Sequence, residues 1–188
     1  MAVSKTKYFS TRKEWREWLS KNFDKELEIW FINPKKSSDK QGVLYNDAVE
    51  EALCFGWIDS TIKSLDEHHN IQRYTPRKSK SNYSQLNIER LKRLAEKGSI
   101  HQQILETIKD IIEEEFIFPQ DILNIIQKDA EAWKNYQAFS DTYKRIRIAY
   151  IDTARERPDE YEKRLHNFIR KTKENKIISG YGGTDKYY

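Results

Sequence analysis

Apolar positions along this chain follow two rhythms. Over the first hundred residues a spacing of three to four alternates with a spacing of two, and beyond them the helical spacing alone persists. Ser10 or Thr11 can cap a first helix that carries Trp15, Trp18, Leu19 and Phe23 on one stripe. In "ELEIWFINP", Leu27, Ile29 and Phe31 alternate with Trp30 and Ile32 before Pro34, which predicts a strand covered on both faces. In "YNDAVEEALCFG", Asn46 or Asp47 caps a helix whose stripe is Ala48, Val49, Ala52, Leu53 and Phe55. Gly56 occupies the left-handed position that ends it. "WIDSTIKSL" and "IQRYT", joined by "DEHHN", predict an antiparallel hairpin that could bring Asp59 near Arg73 or Thr75.

The remainder reads as helices. One is capped near Ser81 and ended by Gly98, and "SIHQQILETIKDIIEEE", "PQDILNIIQKDAEAWKNYQAF" and "DTYKRIRIAYIDTARE" follow it. Pro158 opens the last, with Asp159 and Glu160 in its first turn, where the helix dipole favours acids. The closing "ISGYGGTDKYY" reads as a mobile glycine and tyrosine tail. The pattern predicts an α+β protein: a small antiparallel sheet packed by helices over residues 1–98, then a helical C-terminal region over 99–188. "EEEFIFPQD", with Pro119, is the expected hinge.

Composition narrows the class. Charged residues make up 34% and hydrophobic ones 37%, a balance near disorder, but five Trp, eight Phe and eleven Tyr supply enough burial for a folded domain. No run is long and apolar enough for a membrane span, and "MAVSKTKYFSTRKEW" lacks the apolar block of a signal peptide, so the expected compartment is the cytoplasm. Cys54 is the only cysteine, which excludes an intramolecular disulfide and a cysteine-built metal centre and points to a buried, inert thiol. His68 and His69 are adjacent and ill-placed to share one ion. Neither metal nor cofactor is expected, and the motifs Gly-x-Ser-x-Gly, His-Glu-x-x-His and Gly-x-Gly-x-x-Gly do not occur in the sequence.

Charge adds a location. The net +4 hides a segment from Ile71 to Arg93 with seven basic residues against Glu89, and a segment from Ile104 to Glu131 with eight acidic residues against Lys109 and Lys128. The two blocks could face one another, or the basic one could receive an anionic partner. The candidate surface comprises Trp57, Asp59 and Thr61, then Arg73 and Tyr74, then Arg77, Lys78, Lys80, Ser81, Tyr83 and Asn87. Arginine offers a planar fork, aromatic rings a stacking face and a helix start unpaired N–H groups, so the surface suits a phosphate, sulfate or carboxylate. The same residues also have a structural use, with Ser81 as a cap, Asp59 pairing Arg73 and Trp57 in the core.

"YNDAVEEALCFGWIDSTIKSLD", "RYTPRKSKSNYSQLNIERLKRL" and "WFINPKK" resemble the signature blocks of the bacterial YdeI/OmpD-associated, or bacteriocin-protection, proteins. "YIDTARERPDEYEKRLHNFIRKTKENK" followed by "GYGG" is similar to that family's helical C-terminal region. Tyr83 stands where the pattern has Trp and keeps its aromatic character. The order of elements in the first half also resembles YdhG-like α+β domains, a likeness of fold alone. The resemblance implies a part in stress or bacteriocin tolerance without naming a reaction, and its porin label sits poorly with the missing export signal. The expectation is a non-enzymatic binding protein for an anionic small molecule or protein partner. An enzyme using Asp59 with Arg73 on a small anionic substrate is the alternative, and nucleic acid is the weaker fit for so small a net charge.

Overall fold

The computed structural model describes residues 5–35, 37–78, 83–180 and 184–187. The chain forms two compact units, Met1–Asn82 with Leu91–Lys109, and Tyr83–Arg90 with Asp110–Tyr188. The first contains β1 (Thr6–Tyr8), α1 (Arg12–Asn22), β2 (Ile29–Pro34), α2 (Tyr45–Cys54), β3 (Trp57–Ser64) and β4 (His69–Pro76). Two of the three divisions fall inside α3 (Gln85–Glu96) and α4 (Gln102–Glu113).

Thr11 caps α1, its hydroxyl accepting from the Glu14 N–H at 3.2 Å while the Glu14 carboxylate accepts from the Ser10 N–H at 2.8 Å. This reciprocal arrangement satisfies donors that the first turn would leave open. Trp15 and Leu19 are fully buried and Trp18 nearly so. Trp15 stacks on Trp18 at 5.4 Å and meets Phe9, Phe31 and Tyr74 at 5.1, 5.2 and 5.2 Å. Its indole N–H donates to the Ala48 carbonyl at 3.0 Å, which ties α1 to α2.

The sheet order is β1-β2-β4-β3. The β2–β4–β3 part is antiparallel, as the alternation predicts, and β1 adds a parallel edge that makes the sheet mixed. Ile29, Trp30 and Phe31, the first half of β2, are buried, whereas Leu27 lies outside the strand and is 84% exposed. The expected stripe is therefore one residue shorter.

Leu44, with no side-chain cap bond, precedes α2 in place of the expected Asn46 or Asp47. The helix starts earlier because its acids are committed to arginines of α1. Arg12 reaches Asp47, Glu50 and Glu51 at 2.9, 3.0 and 2.5 Å, and Arg16 reaches Glu51 at 2.6 Å and the Ser99 carbonyl at 2.7 Å. Glu50 and Glu51 are buried, a placement that only such pairing sustains.

In the second unit, α5 (Gln120–Gln127), α6 (Ala130–Ala138), α7 (Asp141–Asp152) and α8 (Pro158–Lys173) close around Ile122, Ile126, Tyr136, Tyr143, Ile148, Ile151, Leu165 and Phe168. The single helix expected after Pro119 is two. Asp129 takes an extended backbone, accepts from the Ala132 N–H at 3.1 Å to start α6, and receives Lys173 Nζ at 2.8 Å. Ser140 caps α7 in the same way. The tail is held in two described places: the Ile178 N–H donates to the Tyr143 hydroxyl at 2.9 Å, and the Arg90 guanidinium lies 5.5 Å from the centre of the buried Tyr187 ring.

Gly56 and Gly98 adopt φ values of +70° and +62°. A Cβ at Gly56 would stand 2.8 Å from Ile104 Cδ1, whereas one at Gly98 meets nothing. Both Ala variants should lose about 1–2 kcal/mol to the left-handed backbone. Urea unfolding should show the larger loss for Gly56→Ala, with the excess over Gly98→Ala reading the displacement of Ile104.

Candidate ligand-binding cleft

The hairpin places its nominated residues in the first unit. Trp57 is buried against Trp18 at 5.7 Å and donates its indole N–H to the Phe23 carbonyl at 3.0 Å. Asp59 lies across from Tyr74 and accepts from the Tyr45 hydroxyl at 3.0 Å and the Gln72 amide at 2.7 Å. Arg73 turns instead to Glu28, with Nε and Nη2 at 2.7 and 2.6 Å from one carboxylate oxygen. The expected Asp59–Arg73 approach is replaced by these two pairings, because Arg73 lies opposite Trp30 and β3 carries a bulge between Asp59 and Ile62. Thr61 sits exposed in that bulge, and Tyr74 is buried in the aromatic cluster. Arg77 donates its backbone N–H to the Gly56 carbonyl at 2.8 Å, and Lys78 is exposed. Lys80 and Ser81 lie outside the described residues.

Tyr83 and Asn87 belong to the second unit. Asn87 accepts from Arg90 Nη1 at 2.8 Å. Tyr83 lines a cleft of about 800 Å³ whose other walls come from α7, α8 and the Ile178–Gly180 segment. That size is within the range of small-molecule sites. Buried Ile146, Ile151 and Phe168 contribute apolar lining.

The charged residues of the cleft divide by their partners. Asp152 accepts from Arg155 Nε at 2.5 Å. Glu160 accepts from Arg164 Nε at 2.8 Å, and this bond, against some desolvation, holds its carboxyl below the usual range. Arg164 also donates to the Tyr150 carbonyl at 2.6 Å, with its guanidinium 3.7 Å from the centre of the Tyr150 ring. Arg147 lies over the Tyr143 ring and donates to the Ile178 carbonyl, pinning the tail segment as a wall. Lys163 is exposed, lines the cleft and makes no hydrogen bond or close ion pair among the described residues, its charge acting on Glu160 through space. With Arg147, Lys163 and Arg164 against Asp152 and Glu160, the lining carries a surplus positive charge.

Of the candidate residues that are described, only Tyr83 reaches this cleft. Neither Lys163 nor Arg164 is among the candidate residues that the sequence pattern singles out. The i, i+4 pair Glu160–Arg164 was a visible signal, but the Tyr150 ring lies fourteen positions away from Arg164, beyond any local pattern.

Among the described residues no cluster of three or more His, Cys, Asp and Glu side chains is placed to hold a metal, and no helix is long and apolar enough to cross a membrane. Residues 7–107 match the model of a domain of unknown function (DUF8412), and residues 115–175 match that of the bacteriocin-protection, YdeI or OmpD-associated family. No curated protein and no solved structure matches the chain.

Cys54 is buried beside the Arg16–Glu51 pair. Burial, with Glu51 adding in the same direction, pushes its thiol up to about 11 against the pull of Arg16 and Arg12. Only about one molecule in a thousand then carries the thiolate at pH 8. An aromatic disulfide reagent should leave the native protein unlabelled on the minute scale at that pH and modify one thiol promptly in urea. Prompt native labelling would contradict the burial.

Proposed function

This chain belongs to the families whose models cover it, the DUF8412 domain of unknown function in its first half and the bacteriocin-protection, YdeI or OmpD-associated family in its second, and from that premise we propose that it is a non-enzymatic cytoplasmic protein acting in stress or bacteriocin tolerance by binding an anionic small molecule. The observation that carries this reading is the cleft of the second unit, where apolar side chains meet a surplus of positive charge and Lys163 is left without a fixed partner. An apolar lining with few polar groups provides burial, and the cation sets the sign of the ligand.

A second reading keeps the anion on the first unit. Trp30 Nε1 is buried without an acceptor, Lys63 lies over that ring at 4.9 Å, and Arg73 is its cross-strand neighbour. There an acceptor would meet an indole N–H and two cations.

A thermal-shift panel of small carboxylates, sulfonates and phosphates separates the two. A ligand for the native state raises the melting temperature progressively with its excess over the dissociation constant. Under the first reading Lys163→Gln reduces the shift at a given anion concentration and Arg73→Ala leaves it unchanged, and under the second the dependence reverses. A flat response from the unmodified protein to every anion would remove both.

A further inference from the structure

Resting on the cleft reading above, we propose that its ligand is a planar aromatic anion, stacked on the Tyr150 ring with its carboxylate or sulfonate near Lys163. Tyr150 lines the cleft and is 48% exposed, although the Arg164 guanidinium covers part of it at 3.7 Å. The guanidinium is anchored, since Nε is held by Glu160 and Nη1 by the Tyr150 carbonyl. Its side chain is only 14% exposed. The ring therefore has a fixed cation as its backing, which lowers the side-chain freedom that stacking would cost.

The backing cation also selects the electronic character of the guest. A guanidinium over one face draws on the ring's π-density, and the other face then favours an electron-rich, negatively charged ring over a cationic one. The charge has a place to go. Lys163 and Asn167 lie four residues apart on α8 and so share a helix face, and both line the cleft. The Asn167 carbonyl oxygen accepts from Arg170 at 2.9 Å, so the group it turns toward a ligand is its amide N–H donor. Asp152 and Glu160, the acids of the lining, are each paired with an arginine, Arg155 and Arg164. Ile146, Ile151 and Phe168 complete the apolar surroundings.

Calorimetric titration of the full-length protein with 1-naphthoate, 1-naphthalenemethanol and decanoate tests this. The expected order is naphthoate tightest, with the neutral alcohol and the aliphatic acid each weaker by about fivefold or more, the scale of one partly exposed charge contact or one ring stack. Lys163→Gln should weaken naphthoate about fivefold and leave the alcohol unchanged. Tyr150→Leu should weaken naphthoate while sparing decanoate, with near-UV circular dichroism confirming the native fold and Tyr150→Phe, which keeps the ring, restoring affinity. Equal binding of naphthoate and its alcohol, or decanoate as tight as naphthoate, would overturn the proposal and leave the cleft standing as a binding site. Failure of all three probes, together with a flat anion panel, would remove the cleft reading and this proposal with it.

Discussion

The stack of Trp15 on Trp18, wedged against Phe9, Phe31 and Tyr74, is the contact on which the first unit is organised. A chain with 34% charged residues has few aliphatic side chains to spare, so large rings must do much of the burying. Rings with polar edges bring an obligation. Trp15 meets it at the Ala48 carbonyl and Trp57 at the Phe23 carbonyl, at 3.0 Å each. These two bonds orient α2 against α1 and set the start of β3, so the packing and the polar bookkeeping select the same arrangement.

Arginine does comparable work where rings are lacking. Arg12 and Arg16 gather Asp47, Glu50 and Glu51 between α1 and α2, and the side chain of Arg145 forks onto Glu89 at 2.6 and 2.8 Å in the second unit. Removing either member of a buried pair leaves an uncompensated charge, which makes the geometry specific even where its net stabilisation is small. The cleft follows the same logic. Its acids are taken up by neighbouring arginines, so the lysine left over defines the electrostatic sign of the opening.

Local chemistry was readable wherever a residue's own backbone or side chain decided the outcome. Gly56 ends its helix because it reaches a φ of +70° without a Cβ penalty, and Thr11 starts one because its hydroxyl reaches the Glu14 N–H. The break at Asp129 escaped the pattern, since Ile122, Ile126 and Tyr136 continue an apolar stripe across it while the carboxylate is drawn to a cap and to Lys173. Strand β1 escaped as well, because three residues with one aromatic carry no alternation of their own and become a strand only beside β2.

By itself, then, the sequence determined the α+β first half, the helical second half, the helix-ending role of Gly56 and the buried character of Cys54. Each follows from periodicity, backbone freedom or the scarcity of apolar residues. Tertiary structure alone decided that Arg73 turns to Glu28 and Asp59 to Tyr45, and that Tyr83, Tyr150 and Lys163 line one cleft. Those outcomes depend on which strand faces which and on how helices distant in sequence pack. A charged side chain takes whichever partner the folded backbone brings within a few ångströms, and no local pattern encodes that distance.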